Sequence, residues 1–153
     1  MSLKDPPARN PKSSFSSMRG HHGAVRVPDY EVEKRWFVEK LEFRIIQEWP
    51  YEDQRLAYLA PPNDDNFHIE ILGDGTMPPI AKTKYKDLSD SLRYAGFHHV
   101  CLEVDDVDAT VAELRRRGVT IVTESFVLPV IQRKLAFLAD PFGNLFELSE
   151  IVE

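Results

Sequence analysis

Two histidines and two glutamates recur in the chain at matched spacing. His99 follows His22 by 77 residues, and Glu147 follows Glu70 by the same distance. Each histidine therefore precedes its glutamate by 48 residues, which an internal duplication explains most simply. Imidazole nitrogens and carboxylate oxygens are ligands of borderline divalent metals, so the four side chains together could hold one ion.

Strand alternation explains how each histidine is placed. In the first copy Val25 and Val27 occupy one side of a strand, which leaves His22 on the other side. In the second copy Val100 points toward the predicted core, which leaves His99 on the opposite face of the strand. If two such sheets meet face to face, the four side chains converge.

The glutamates stand in short apolar runs, 67–72 and 145–148. A carboxylate in such a run is costly to bury without a partner, and the duplicated spacing offers one. The alternative for a single histidine on a strand is a structural role. The repeat favours joint metal binding over four unrelated structural residues.

The surrounding pattern predicts two βαβββ modules and an α+β fold. Around the first histidine we expect a strand, a helix and three more strands, over about 21–27, 30–41, 43–49, 55–60 and 66–72. Around the second we expect the same order, over about 97–104, 107–117, 120–124, 133–139 and 145–152. In the first helix Phe37 and Leu41 lie one turn apart and Trp36 widens this apolar stripe, which favours core packing over a ligand pocket for Trp36 and Phe37.

We expect one domain over residues 20–153, with modules at about 20–73 and 96–152 and a linker at 74–95. Residues 1–19, rich in proline and serine, are expected to be a mobile leader. The linker is interpreted either as a passive connection or as a lid over a site. Within it, Asp87 could cap a short helix.

Composition excludes several partners. A net charge of −6 without a basic block disfavours nucleic acid, and no apolar run is long enough to span a bilayer. The one cysteine, Cys101, cannot form an internal disulfide and fits a reducing compartment. We therefore expect a cytoplasmic protein, and neither nucleic acid nor a membrane as its partner.

The repeated modules and the closing segment at 140–148, with the sequence DPFGNLFEL, resemble the vicinal oxygen chelate superfamily. That superfamily includes glyoxalase I, bleomycin resistance proteins, methylmalonyl-CoA epimerase and extradiol dioxygenases. The resemblance implies a glyoxalase-like fold, in which the two modules form a cupped mixed sheet, and a homodimer.

This pattern resembles the ligand set of glyoxalase I, in which two histidines and two glutamates hold one divalent ion. By that resemblance the ligands in this chain are His22, Glu70, His99 and Glu147. The resemblance implies Ni, Zn, Fe or Mn with two coordination positions left for substrate oxygens. It also gives Glu147 the role of catalytic base. The implied reaction is that of a lyase or isomerase acting, through an enediolate, on the hemithioacetal of a 2-oxoaldehyde and a thiol.

Two further residues are candidates for substrate binding. Arg26 matches an arginine that binds a glutathione carboxylate in glyoxalase I, with a salt bridge to Glu103 as the structural alternative. His68 lies on the predicted site face beside Glu70. Asp74 stands where those enzymes carry a glutathione-binding asparagine, which disfavours glutathione as the thiol.

Other activities remain open at this point. The same scaffold serves epimerases and extradiol-type dioxygenases, and it also serves non-catalytic proteins that sequester drugs or metabolites. Bound metal separates the enzymes from the binding proteins, and oxygen uptake with a catechol separates the dioxygenases.

Overall fold

A computed structural model describes residues 7–77 and 85–152. Its first module comprises β1 (His22–Val27), α1 (Tyr30–Leu41), β2 (Arg44–Tyr51), β3 (Gln54–Ala60) and β4 (His68–Asp74). A short helix, α2 (Leu88–Ser91), precedes the second module. That module comprises β5 (His99–Glu103), α3 (Val107–Arg116), β6 (Thr120–Leu128), a 3₁₀ turn (Pro129–Ile131), β7 (Arg133–Ala139) and β8 (Leu145–Ile151).

The two modules have the same topology. Their strand orders are β1-β4-β3-β2 and β5-β8-β7-β6, so each module forms its own four-stranded sheet. In each sheet the first and last strands pair in parallel and the remaining pairs are antiparallel. The predicted α+β class and the doubled βαβββ order are confirmed.

Helix α1 begins and ends where its sequence indicates. The Asp29 carboxylate accepts a hydrogen bond from the Val32 amide, an N-cap, and Glu42 ends the helix in the left-handed region. The rings of Trp36 and Phe37 are buried and lie 5.8 and 5.6 Å from the ring of Phe146. The core role predicted for this stripe is confirmed.

Most predicted strand boundaries shift by one or two residues, and the end of β6 shifts by more. Strand β6 continues four residues past the expected end at 124, through Leu128, because register shifts after Ile121 and Thr123 break the two-residue alternation. Strand β5 begins at His99 rather than at Phe97, whose side chain is 79% exposed.

The connection between the modules contains the predicted short helix. The Asp87 side chain accepts a hydrogen bond from the Asp90 amide and caps α2. Residues 78–84 of the linker and 1–6 of the leader lie outside the described residues. The lid and leader hypotheses therefore stay predictions.

Both sheets contribute to one core. The buried residues on their helix-facing sides form a single apolar cluster that includes Ile69 and Ile71 from the first sheet and Phe146 and Leu148 from the second. Burial of this apolar surface is the main source of stability. Because the sheets pack through these faces, their other faces point away from the shared core.

Gly73 lies where β4 passes closest to α1. A Cβ atom at this position would lie 2.5 Å from Cβ and 2.7 Å from Cα of Tyr30. We expect Gly73→Ala to lower the free energy of unfolding by about 1–3 kcal/mol, since the helix backbone must move. Denaturant unfolding measures this change. In the control Gly20→Ala a Cβ meets no atom within 4 Å, and equal stability of the two variants would contradict the contact.

Candidate metal centre

The first module places one imidazole beside one carboxylate. His22 on β1 and Glu70 on the parallel strand β4 lie on the outward face, with Nε2 and Oε2 3.2 Å apart. The two side chains are 33% and 13% exposed. Both side chains are thus partly buried, and the imidazole is the more exposed of the two.

The second module repeats this arrangement. His99 on β5 and Glu147 on β8 bring Nε2 and Oε2 within 3.4 Å, and the side chains are 30% and 16% exposed. The equal geometry in two modules confirms that the repeat in the sequence is a repeat in space. It supplies two half-sites, each with one imidazole and one carboxylate.

The electrostatics of the second half-site suit a metal. Burial lowers the pKa of His99, outweighing the nearby Glu147 carboxylate, and so favours the neutral imidazole that ligates metals. Burial and a hydrogen bond to Glu147 raise the pKa of the Cys101 thiol to about 12. Cys101 is therefore a neutral thiol at neutral pH and not a thiolate ligand.

Within one chain the half-sites stay separate. Among residues 7–77 and 85–152, no group of three or more His, Cys, Asp or Glu side chains could hold a metal ion. The condition for convergence, two sheets that meet through their histidine-bearing faces, is therefore not met within the described residues of one chain. The physical reason is the shared core, which joins the sheets through the faces that lack the histidines and glutamates.

An aromatic side chain flanks each histidine, and neither was predicted as a site residue. Tyr58 is paired with Glu70 across β3 and β4, and its ring lies 5.2 Å from that of His22. Phe137 is paired with Glu147, and its ring lies 5.2 Å from that of His99. In the sequence, segment 55–60 (RLAYLA) is echoed by segment 134–139 (KLAFLA), with Tyr58 and Phe137 at the same place in each. That repeat could have identified both residues.

Arg26 and Asp74 are joined at one end of the first sheet. The Arg26 guanidinium donates to the backbone carbonyls of Val27, Leu72 and Asp74. The structural alternative for Arg26 was a salt bridge to Glu103. That prediction is wrong, because Glu103 pairs instead with Arg133, at 2.6 Å. A substrate contact for Arg26 stays a prediction.

Asp74 has a structural role. Its carboxylate accepts from the backbone amide of Tyr30 at 2.9 Å and pairs with the Arg55 guanidinium. The hydrogen bond from Arg55 lowers the pKa of Asp74. This carboxylate therefore fixes the start of α1 to the end of β4.

We expect Asp74→Asn to lower the free energy of unfolding by about 1 kcal/mol at pH 7, because the charged hydrogen bond to Arg55 is weakened. The lowered pKa means that this stabilisation is present above about pH 4, the usual carboxyl pKa, and is lost as pH falls through the folded-state value. The difference between the two proteins should shrink below pH 4 in urea unfolding. The exposed Asp105→Asn is the control, and a difference that grows on acidification would contradict the assignment.

The residue before each of the two candidate metal-binding histidines is itself a histidine. His21 and His98 lie just before β1 and β5, and each places Nδ1 2.7 Å from Nδ1 of the histidine that follows it. His68 begins β4, on the site face, with its ring 5.2 Å from that of His21. A substrate contact for His68 stays a prediction.

A family model described as the Glyoxalase/Bleomycin resistance protein/Dioxygenase superfamily matches residues 19–148. The chain belongs to this superfamily. It is 27% identical over 152 residues to a mitochondrial methylmalonyl-CoA epimerase of Bos taurus, covering 97% of this chain and 82% of the epimerase. It is 30% identical over 132 residues to a probable chloroplastic lactoylglutathione lyase of Arabidopsis thaliana, covering 84% of this chain and 35% of that protein.

Solved structures support the same fold. The crystal structure of SMU.1112c superposes with a TM-score of 0.69 at 26% identity, covering 87% of this chain and 98% of that one. None of the helices in the described parts of this superfamily member has the length and apolarity needed to cross a membrane.

Proposed function

We propose that this protein is a metal-dependent enzyme that moves a proton at a carbon next to a carbonyl group, as a lyase or isomerase of the glyoxalase I type does. The observation that carries the proposal is the pair of outward-facing half-sites, each with an imidazole nitrogen within 3.4 Å of a carboxylate oxygen. When bound, a divalent ion such as Ni, Zn, Fe or Mn would stabilise negative charge on the oxygens of an enediolate. The residues proposed to hold it are His22, Glu70, His99 and Glu147.

The complete site is proposed to form between two copies of the chain. The first half-site of one protomer would face the second half-site of its partner, so a symmetric dimer would contain two sites. The separation of the half-sites within one chain supports this arrangement. Exposed apolar side chains on strands β2 and β6 also favour a partner: Ile45, Ile46, Tyr51, Val127 and Leu128.

The chain's own residues have distinct proposed roles. Glu147 is the base, because a carboxylate can leave a metal and still reach a substrate carbon. The Phe137 ring beside His99 would limit the access of water to that carbon. Arg26, which bonds backbone carbonyls rather than a carboxylate, could attract an anionic group of the substrate. His68 would line the same face near Glu70.

Epimerisation of an acyl thioester is the second candidate. The epimerase relative is matched over 82% of its length and the lyase relative over 35%. Asp74 stands where glyoxalase I carries a glutathione-binding asparagine, and it has a carboxylate instead of that amide. Its carboxylate is also already bound to the Tyr30 amide and the Arg55 guanidinium. Both reactions begin with removal of a proton next to a carbonyl, so the same site serves either one.

Metal analysis and two assays test the proposal. Protein purified without chelators should contain one divalent ion per chain, and His99→Ala should lose most of it. Turnover is measured as lactoyl-thioester formation from methylglyoxal with glutathione and with other small thiols, and as solvent deuterium incorporation into methylmalonyl-CoA. If His99→Ala still bound one metal ion per chain, the ligand assignment would be wrong. Inactivity of the metal-loaded protein in both assays would favour a dioxygenase or a binding protein.

A further inference from the structure

The second half-site is connected to the linker helix through a chain of hydrogen bonds. Ser91 ends α2 and is buried, and its Oγ lies 2.6 Å from the Leu88 carbonyl and 2.9 Å from Nε2 of His98. Nδ1 of His98 in turn lies 2.7 Å from Nδ1 of His99. These contacts lead from a backbone carbonyl to a proposed metal ligand.

The first contact determines the direction of every hydrogen in the chain. A carbonyl oxygen only accepts, so the hydrogen between Leu88 and Ser91 belongs to the serine hydroxyl. The serine has one hydrogen, so Oγ must accept the hydrogen of the next contact. Nε2 of His98 is therefore the protonated nitrogen that donates to Ser91.

The same accounting continues to the ligand. In neutral His98 a hydrogen on Nε2 leaves Nδ1 as an acceptor. The short Nδ1 to Nδ1 contact then requires a hydrogen on Nδ1 of His99. In the neutral ring of His99, Nε2, the nitrogen 3.4 Å from the Glu147 carboxylate, then carries the free lone pair.

We propose that Ser91 and His98 are positioning residues that hold His99 in the tautomer whose Nε2 can bind a metal ion. The proposal rests on the proposed function, since it concerns a ligand of the same site. A hydrogen-bond acceptor for the second nitrogen of a ligating histidine is what fixes ring orientation and tautomer at metal sites. Here the acceptor is the imidazole of His98, whose orientation is fixed by its hydrogen bond to Ser91 in α2.

In the described residues of the first module, no contact corresponds to the hydrogen bond between Ser91 and His98. His21 makes the same 2.7 Å contact with His22, but its ring packs against Tyr58 and His68, and no hydrogen bond described for residues 7–77 and 85–152 fixes the proton between the two rings. The linker helix therefore acts on one half-site alone. Changes at Ser91 should alter His99 and leave His22 unaffected.

The first test determines the tautomer of His99 in metal-free protein at pH 8. The protein is labelled with ¹⁵N-histidine, and two-bond ¹H–¹⁵N correlations show which ring nitrogen carries the hydrogen, whether the protein is a dimer or a monomer. We expect Nδ1 of His99 to be protonated and Nε2 to be bare. Ser91→Ala and His98→Phe should give a mixture of tautomers. Ser91→Thr, which retains the hydroxyl, and His98→Asn, whose amide oxygen can accept from His99, should restore the single tautomer. Ser89→Ala, an exposed serine in the same helix, is the control.

A Zn²⁺ titration provides the second readout. Loss of such a supporting contact costs about 10–100-fold in metal affinity, so His98→Phe should weaken Zn²⁺ binding by that factor and His98→Asn by less. A hydrogen on Nε2 of His99 in wild-type protein, or an unchanged tautomer in both Ser91→Ala and His98→Phe, would overturn the proposal. Wild-type protein that shows the expected tautomer but binds no Zn²⁺ would instead refute the proposed metal function and leave the positioning role standing.

Discussion

Replacing Glu147 by glutamine should reduce turnover by about 10²–10⁴-fold, the usual contribution of a general base. The amide has nearly the shape of the carboxylate, and its oxygen can still ligate a metal, but it does not accept a proton at neutral pH. Metal content should therefore fall much less than activity. The measurement is kcat with the preferred substrate, alongside metal stoichiometry of the same sample.

His22→Gln is the matched control for this prediction. It also places a neutral amide at one of the four proposed ligand positions, but at a residue with no proposed role in proton transfer. Its loss of turnover should follow its loss of metal and should be smaller than that of Glu147→Gln. Near-normal turnover of metal-loaded Glu147→Gln would remove this glutamate from the mechanism.

The sequence predicts much of this architecture because its signals are local or repeated. Asp29 and Asp87 are N-cap residues whose role depends only on the next three positions. The interval of 48 residues between His22 and Glu70, repeated at His99, indicates pairs that the structure brings within 3.4 Å. Periodicity and duplication were enough for these features.

The remaining features depend on contacts that no local pattern encodes. The half-sites diverge because Trp36 and Phe37 pack on Phe146, and whether two sheets join through one face or the other is a matter of tertiary packing. The extension of β6 was hidden by bulges that shift the alternation. The contact of Ser91 with His98 depends on where a linker helix docks, which spacing alone does not reveal.

If each metal site is built from two chains, two variants that lack different half-sites should complement each other in a heterodimer. One variant carries His22→Ala and Glu70→Ala, and a second carries His99→Ala and Glu147→Ala. Each alone lacks a half-site in both sites of its dimer, so each should bind metal weakly and be inactive. A heterodimer of the two would contain one doubly damaged site and one intact site.

The decisive measurement is the metal content of that heterodimer, produced by co-expression with two different affinity tags and purified through both. We predict one tightly bound divalent ion per heterodimer, against two per wild-type dimer and none in either variant homodimer, with about half of the wild-type turnover. Light scattering on the same samples establishes that they are dimers. A heterodimer that binds no more metal than the variant homodimers would contradict the shared site.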